Sequence, residues 1–362
     1  MSKAILLGDL HFGCHTFELE KRLHVAREYF QEFFFPLMER HYQPGDIVYI
    51  LGDVFDNRNY LDIRVMCFAL DLFAEFRKRG IMIRLLIGNH DMFGEKSYEF
   101  TSVRCLEHFD NITIYTKPTV VTQDNLRFLL MPWITEKSEE LTVLREYANQ
   151  VDFLFCHSDL SGAKTNMKTV LTHGLAPEDF VAYPRVYSGH IHIRQTIRNF
   201  TFVGSPYHLD RNDKGNKKGV YILDLATGDE QFYPNDFSPE YKTLHINTSE
   251  DIKKLDMLIE SENTKGDWFD VEVSNSLIIK DKTITKKLSE ITKTRSIKLK
   301  HIDDLVIKDV ANDVDLNELG VSLSIEDYIF DYVKGQEIEA DLHDKIMFEL
   351  NDSIKIYKEK GD

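Results

Sequence analysis

Chemistry-bearing residues follow short apolar runs at five places in this chain of 362 residues. The runs are AILL, IVYIL, MIRLLI, VDFLF and RVY, and the polar clusters after them contain Asp9, Asp53, Asn89, His157 and His190. Short runs of this kind are typical of buried strands. In layered α/β folds, ligands gather in the crevice beyond the carboxyl ends of such strands. We therefore expect distant segments to deliver these side chains to one edge of a sheet.

The clusters supply a set of candidate metal ligands. They are Asp9, His11, Asp53, Asn89, His157, His190 and His192. Each cluster alone is compatible with a turn or a hydrogen-bonded core residue, but buried ionisable groups seldom collect without cations that neutralise them. His190 and His192 are the strongest pair, because alternate residues of a strand point to the same side. Oxygen and imidazole ligands without a thiolate suit Mn²⁺, Fe²⁺ or Zn²⁺, so the set indicates a two-metal hydrolytic centre.

Among these ligands, Asp53 is the natural bridge, because a carboxylate has lone pairs for two ions. Ions about 3.5–4 Å apart acidify a water and clamp a phosphate for in-line attack.

Two further residues are candidate catalytic groups. Adjacent side chains diverge, so if Asn89 is a ligand, His90 faces the substrate. There it would protonate the leaving oxygen or stabilise charge on the phosphoryl group. Asp91 is a candidate to orient His90.

Composition and charge limit the partners. The net charge is −16, and residues 301–362 hold 17 acidic residues against 6 lysines, whereas residues 281–300 hold seven basic residues against two acids. The basic stretch either attracts DNA or is a solvated helix face. An apolar stretch of about 18 residues and a signal-peptide pattern are both absent, so we expect no membrane contact. The four cysteines lack metal-type spacing and indicate reduced thiols in a cytoplasmic protein.

The patterns divide the chain into three parts. The predicted domains are residues 1–235, 236–305 and 306–362. The first alternates strands and helices, with helices expected at residues 18–40 and 61–79. Residues 236–245 are interpreted as a linker to a small α/β unit. The last part is an acidic stretch followed by two amphipathic helices, which either fold back or bind a partner; their distance from the main core favours a partner.

The predicted helix at residues 61–79 carries more apolar surface than one narrow stripe. The stripe expected to face the core is Ile63, Met66, Cys67, Leu70, Phe73 and Ala74, and Phe68, Leu72 and Phe76 fall outside it. Core packing explains most of this surface. An excess of exposed apolar side chains marks a contact in a homodimer.

These clusters resemble the signature of the calcineurin-like metallophosphoesterases. More narrowly, the chain resembles the nuclease subunit of the SbcCD-type double-strand-break repair complexes, above all its phage recombination-endonuclease form. The resemblance covers about residues 1–235 and includes GDVFD at Gly52–Asp56, the Pro132-Trp133 loop, and Gly204-Ser205-Pro206. Beyond residue 235 only the layout is similar.

The resemblance implies an α/β fold in which a β-sandwich is flanked by helices. A small α/β capping domain that contacts DNA and a C-terminal helical segment would follow. It also implies two ligand sets that share Asp53. One metal would be held by Asp9, His11, Asp53 and His192, and the other by Asp53, Asn89, His157 and His190. His90 would be the catalytic histidine, and Mn²⁺ the activating ion.

The implied function is a DNA nuclease of recombination and repair, a 3′–5′ exonuclease on duplex ends and an endonuclease on single strands and hairpins. It would form a homodimer and bind an SbcC-type ATPase subunit through its C-terminal helices, in the cytoplasm of a bacterium or of a phage-infected host. Two alternatives stay open: a small-molecule phosphatase or phosphodiesterase of the same fold, and a non-catalytic scaffold. Asp56 stands where some relatives carry a histidine that helps to position DNA, which leaves the balance of the two nuclease activities open.

Overall fold

The structure is a computed structural model that describes most of the first 302 residues. The described ranges are 2–15, 18–94, 97–166, 169–248, 250–260, 266–274 and 297–302. The chain divides into two compact units, residues 1–302 and 303–362. The second unit, with its predicted partner-binding helices, and most of the basic stretch lie outside the described residues.

Seventeen strands are described within these ranges. In chain order they are β1 (Lys3–Leu7), β2 (Ile47–Ile50), β3 (Ile83–Leu86), β4 (Met92–Phe93), β5 (Ser97–Thr101), β6 (Ile112–Tyr115), β7 (Thr119–Gln123), β8 (Leu126–Met131), β9 (Phe153–His157), β10 (Val186–Gly189), β11 (Gln195–Ile197), β12 (Phe200–Phe202), β13 (Gly219–Asp224), β14 (Glu230–Pro234), β15 (Tyr241–Ile246), β16 (Trp268–Ser274) and β17 (Ile297–Ile302). One six-stranded sheet has the order β14-β13-β1-β2-β3-β6, and the other has the order β11-β12-β10-β9-β8-β7. Strands β15, β16 and β17 form a small parallel sheet, and β4 pairs with β5.

Helices flank these sheets. The α-helices are α1 (Leu19–Glu28), α2 (Phe35–His41), α3 (Ile63–Lys78), α4 (Lys137–Glu146) and α5 (Ile252–Glu260). A π-helical stretch, Tyr29–Phe34, joins α1 to α2. Both helices expected in the first domain are therefore confirmed. Within the described ranges, no helix combines the length and apolar character needed to cross a bilayer.

The two large sheets pack face to face as a sandwich. Leu6 of β1 and Phe155 of β9 belong to one buried cluster between the sheets. Their neighbours along the strands, Ile5 and Leu154, point the opposite way into two separate clusters on the outer faces of the sheets. This is the alternation that a strand imposes on its side chains. The expected α/β sandwich flanked by helices is confirmed.

The sandwich brings the polar clusters together from both sheets. Strands β1, β2 and β3 are parallel neighbours, and Asp9, Asp53 and Asn89 follow them. Strands β9 and β10 are parallel neighbours in the other sheet, where His157 ends β9 and His190 follows β10. All five expected strands are confirmed. The expectation that their ends share one sheet edge is wrong, because the site lies where the ends of two facing sheets meet.

The apolar stripe expected to face the core on α3 is only partly right, because Phe73 is buried and Leu70 packs against the same cluster, whereas the other stripe residues lie outside the buried face. The buried residues of the helix are Val65, Phe68, Ala69, Leu72, Phe73 and Phe76. Ile63 is 71% exposed, and Cys67 is exposed. Phe76 packs against Phe34 and Phe35, with ring centroids 5.5 and 5.0 Å away. These aromatic contacts with the preceding helical segments select the buried face. Both apolar faces of α3 have helical spacing, so the pattern of this helix alone does not choose between them.

The small sheet begins earlier than the sequence indicated, because β15 starts at Tyr241 inside the predicted linker. Strands β16 and β17 complete the sheet of the expected small α/β unit. The guanidinium group of Arg22 in α1 lies 4.2 Å from the ring centroid of Trp268. Asp270, almost fully buried, forms ion pairs with Arg211 and Lys214. These contacts attach the small sheet to the sandwich; the domain boundaries themselves stay a prediction.

Truncation of α3 on its two faces tests the observed packing. Phe76→Ala should lower the free energy of unfolding by about 3–5 kcal/mol, because it removes a buried ring from an aromatic cluster. Ile63→Ala on the exposed face of the same helix should change it by less than about 0.5 kcal/mol. Urea unfolding of dilute protein, followed by circular dichroism, measures both. Equal losses in the two variants would contradict the assignment of the buried face.

Candidate metal centre

Five of the predicted ligands form two groups that share one carboxylate. Single ligand atoms of Asp9, His11 and Asp53 lie within 4.8 Å of one another. Atoms of Asp53, His157 and His190 form a second group of the same size. Asp53 Oδ2 lies 3.5 Å from His11 Nε2 and 3.3 Å from His157 Nε2. The Asp53 carboxylate therefore stands between the two groups.

The remaining two predicted ligands complete these groups. Asn89 Oδ1 lies 3.1 Å from His157 Nε2 and 3.1 Å from His190 Nδ1. His192 Nε2 lies 3.0 Å from His11 Nε2. All seven side chains predicted from the sequence as ligands thus point nitrogen or oxygen atoms into one small volume.

The backbone at this volume is held in an unfavourable conformation. His11, Asp53 and His190 have positive φ angles of 44°, 50° and 78°. Each non-glycine residue in this region costs on the order of 1–3 kcal/mol, and such residues cluster at functional sites. Gly88 is required by close approach, because a Cβ there would lie 2.1 Å from Asp53 Oδ1. The backbone at these residues is therefore strained, and this conformation directs their side chains inward.

The hydrogen bonds of the histidines decide which ring nitrogen faces the volume. His157 Nδ1 donates to the carbonyl oxygen of Leu51 at 2.6 Å, which leaves Nε2 facing inward. His190 Nε2 lies 2.6 Å from Asp159 Oδ1, which leaves Nδ1 facing Asn89. Metal-binding histidines in proteins almost always have the second nitrogen held in this way.

Asp56 holds two histidines at once. Its Oδ1 lies 3.0 Å from His11 Nδ1, and its carbonyl oxygen accepts from His90 Nδ1 at 2.6 Å. The other nitrogen of His90, Nε2, accepts a hydrogen bond from Arg58 at 2.9 Å. His11, Asp56 and His90 also form a compact group of donor atoms. Because both Nδ1 atoms already point at Asp56, we interpret this residue as the one that orients the rings.

Asp91 has a different role from the one expected. Its carboxylate accepts hydrogen bonds from the backbone N–H groups of Gly88, Val54 and Phe55, at 3.0, 3.0 and 3.2 Å. Burial and the charge of Asp53 raise the pKa of Asp91 to about 7 against these bonds. The partner of His90 Nδ1 is the Asp56 carbonyl instead. Asp91 thus stabilises the backbone around Asp53 and acts on the candidate metal centre through that backbone.

The donor set fits divalent cations. Asp9 is fully buried, and its Oδ2 has no hydrogen-bond partner among the described residues. A buried carboxylate oxygen without a partner is costly. Two imidazole nitrogens that face each other, such as His11 Nε2 and His192 Nε2, share a proton poorly but can both donate lone pairs to an ion. Cations at these positions would satisfy all three atoms.

Without cations, protons balance the buried aspartates. Burial lowers the pKa of His11, but the hydrogen bond with Asp56 and the charge of Asp53 outweigh burial and raise it to about 9. Burial also lowers the pKa of His157, but the charge of Asp53 and the hydrogen bond with it outweigh burial and raise this pKa to about 9. Burial and the charge of His11 lower the pKa of His192 to about 4. A metal ion would therefore displace protons mainly from His11 and His157.

Three residues near the centre are not among the site residues predicted from the sequence. Asp159 and Arg58 are absent from that prediction, and Trp133 enters it only as part of a loop. Asp159 follows His157 by two positions, and Arg58 follows Asp56 by two. This closeness in the chain to a residue of the centre is the signal that could have found them. The ring centroid of Trp133 lies 5.0 Å from that of His190.

Comparison with known proteins places these features in a family. Residues 2–194 match the sequence profile described as calcineurin-like phosphoesterase. The chain is 26% identical over 281 residues to exonuclease subunit 1 of Enterobacteria phage T4, which covers 77% of this chain and 78% of that protein. It is 25% identical over 197 residues to a phosphoesterase, 078R, of Invertebrate iridescent virus 3, and this match covers 53% of each.

A likeness to a solved structure, that of an archaeal phosphodiesterase, is weaker. It covers 64% of this chain and 99% of that one, with 14% identity and a TM-score of 0.30. A TM-score that low does not establish a shared fold.

Metal binding should release protons. At pH 7 the raised pKa values of His11 and His157 keep both rings protonated, and an ion binds only neutral imidazole, so Mn²⁺ should displace about one to two protons. The number of protons released per bound ion should fall towards zero as the pH rises above about 9, and the apparent affinity for Mn²⁺ should rise over the same interval. Calorimetric titration in buffers of different ionisation enthalpy measures this. Heats at pH 7 that do not depend on the buffer would contradict the assignment, and His11→Gln should release fewer protons than the wild type.

Proposed function

The chain belongs to the calcineurin-like phosphoesterase family, and on that premise we propose that it is a two-metal-dependent DNA nuclease of the SbcCD type. The observation that carries the proposal is the position of Asp53 between two ligand groups, with His90 beside it. The similarity to an exonuclease subunit over 77% of the chain supports DNA as the substrate. The proposed activities are 3′–5′ exonuclease cleavage of duplex ends and endonuclease cleavage of single strands and hairpins, in recombination and repair.

The proposed ligands divide into two sets around Asp53. One ion would be held by Asp9, His11, Asp53 and His192, and the other by Asp53, Asn89, His157 and His190. Two bound divalent cations, which we propose are Mn²⁺, supply the charge that activates a water molecule and offsets the negative charge of the phosphodiester. Asp53 can belong to both sets because Gly88 has no side chain to fill the space beside its carboxylate, and the backbone N–H of His90 holds Oδ1 in place.

His90 is the proposed catalytic histidine. Its Nδ1 donates to the Asp56 carbonyl, so Nε2 is the atom directed to the substrate. Burial and the charge of His11 lower the pKa of His90. Its Nε2 accepts from Arg58, so the ring is neutral before substrate binds. A phosphate placed between Arg58 and His90 would attract the guanidinium group and favour the protonated ring, which can then donate a proton to the leaving oxygen.

The proposal also covers partners and location. The amphipathic helices expected in residues 306–362 would bind an SbcC-type ATPase subunit. A homodimer is proposed through the exposed side of α3, where Ile63 is 71% exposed. The cytoplasm of a bacterium or a phage-infected host is the proposed location, since DNA is the substrate there.

Substitution at the centre tests the nuclease proposal. With Mn²⁺ and end-labelled duplex or hairpin DNA, His90→Ser should lower kcat by about 10²–10⁴-fold while metal binding is kept. Asp9→Asn should weaken metal binding and cleavage together. Asp110→Asn, in an exposed ion pair with Arg77, is the matched control and should cleave like the wild type. Full activity of either centre variant would refute its assigned role, and cleavage of a small phosphate diester but not of DNA would favour the small-molecule alternative.

Changes in the C-terminal segment test the partner proposal. Removal of residues 320–362 should abolish association with an SbcC-type ATPase subunit and leave Mn²⁺-dependent cleavage measurable. In the full chain, Ile346→Asp should have the same effect, because Ile346 belongs to an apolar series that recurs every fourth residue. Lys345→Ser is the neighbouring control. Co-elution in size-exclusion chromatography measures association, and an unchanged complex after the deletion would disprove the proposal.

A further inference from the structure

Asp159 is a buried carboxylate beside the candidate metal centre. It lies in the segment that follows β9, and it is 7% exposed. Its Oδ1 lies 2.6 Å from His190 Nε2, on the side of the ring opposite the nitrogen that faces Asn89. A charged carboxylate has no proton to donate and can only accept hydrogen bonds. His190 therefore carries its proton on Nε2. The lone pair of the neutral ring is then on Nδ1, which faces the centre.

A second set of contacts fixes the position of the Asp159 side chain. Lys137, at the start of α4, lies 3.4 Å from Asp159 Oδ2. The same ammonium group lies 3.2 Å from Glu140 Oε2, and the Ser158 hydroxyl donates to the other oxygen of that carboxylate. Each oxygen of Asp159 therefore has its own partner, and rotation of the carboxylate would break both contacts.

The backbone of Asp159 is held as well. Its carbonyl oxygen accepts from the N–H of Leu175 at 3.3 Å. Leu160 pairs with the same residue in an isolated β-bridge. Gly174 allows this close approach, because a Cβ there would lie 2.7 Å from Asp159 Cβ. Backbone hydrogen bonds thus hold the segment that carries Asp159 against a second loop. Its position does not depend on His190.

We propose that Asp159 is a positioning residue that holds His190 as an Nδ1 ligand of one of the two metal ions. The proposal rests on the proposed metal centre and adds a residue outside its ligand sets. His190 needs such a support, because its backbone has a φ angle of 78° and its side chain is 19% exposed. A carboxylate behind a metal-binding imidazole also makes that imidazole a stronger ligand.

The Asp159–His190 contact differs from an ordinary surface ion pair. In exposed pairs such as Arg198 with Glu178, both side chains are more than half exposed, and neither contacts the centre. Such pairs contribute little to stability. Asp159 is buried, has a partner for each oxygen, and bonds the one ring nitrogen of His190 that does not face the candidate ligands. Its expected contribution is therefore to metal affinity.

Titration of the metal-free, full-length protein with Mn²⁺ tests the proposal. The wild type should bind two ions, and Asp159→Ala should weaken one binding step by about 10–100-fold while the other changes by less than about twofold. Asp159→Asn keeps an acceptor for the Nε2–H group and should show an intermediate loss. Lys137→Met keeps the contact with His190 and should lose less than Asp159→Ala. Glu178→Gln is the control for a lost exposed pair and should bind like the wild type.

The tautomer of His190 provides a readout that a structural role would not change. In Zn²⁺-loaded protein with ¹⁵N-labelled histidine, the wild type should show a His190 Nε2-bound proton protected from exchange. Asp159→Ala should lose that protection, and Asp159→Asn should retain it in part. The unfolding temperature of the metal-free Asp159→Asn variant serves as the check that the fold is intact.

The outcomes separate this proposal from the nuclease proposal. Two unchanged binding steps in Asp159→Ala would overturn the role of Asp159, and so would an equal loss in both steps. A wild type that binds no Mn²⁺ would overturn the metal centre and this proposal together. A wild type that binds two ions but cleaves no DNA would overturn only the nuclease proposal, and the variant titrations would still decide the role of Asp159.

Discussion

The burial of the Asp53 carboxylate is the constraint on which the rest of the centre depends. Asp53 is 1% exposed and sits on left-handed backbone at the end of β2. A charge in that position is tolerated only if its surroundings supply positive charge and hydrogen bonds. The backbone N–H of His90 donates to it, and the rings of His11 and His157 hold its pKa well below the usual range despite burial. Gly88 leaves the space that any larger residue would fill. The same arrangement leaves the carboxylate facing both groups of candidate ligands, with Oδ2 3.5 Å from His11 Nε2 and 3.3 Å from His157 Nε2.

The sandwich brings candidate ligands of both chemical types together from two sheets. The segments that follow three parallel neighbours of the first sheet present the oxygen atoms of Asp9, Asp53 and Asn89, together with the imidazole of His11. The second sheet presents the imidazoles of His157 and His190 at the ends of two parallel neighbours. The two sheets pack through a shared apolar layer, and side chains that follow their strands meet at hydrogen-bonding distance, as Asn89 Oδ1 and His157 Nε2 do at 3.1 Å. The apolar core that holds the sheets together thus sets the separation of the ligands.

The rings around the centre are held from behind by acceptors of two kinds. His157 donates to a backbone carbonyl, whereas His11 and His190 contact the carboxylates of Asp56 and Asp159. Carboxylate partners add negative charge next to the imidazole, which strengthens the ring as a ligand and as a proton acceptor. The position of Asp56, which also accepts from His90, links the proposed metal ligands to the proposed catalytic histidine through one residue.

Local pattern in the sequence determined the five strands that precede the polar clusters, the two long helices and the seven candidate ligands, because strand periodicity and residue type after a strand are properties of adjacent residues. The tertiary structure decided what depends on contacts between distant segments. It placed the candidate ligands at the strand ends of two sheets, turned the Phe76 face of α3 inward, and made the Asp56 carbonyl, in place of Asp91, the partner of His90 Nδ1. It also brought Asp159 behind His190, 31 positions further along the chain. Which nitrogen of a ring faces inward is set by the acceptor behind it, and that acceptor arrives only when the sheets pack.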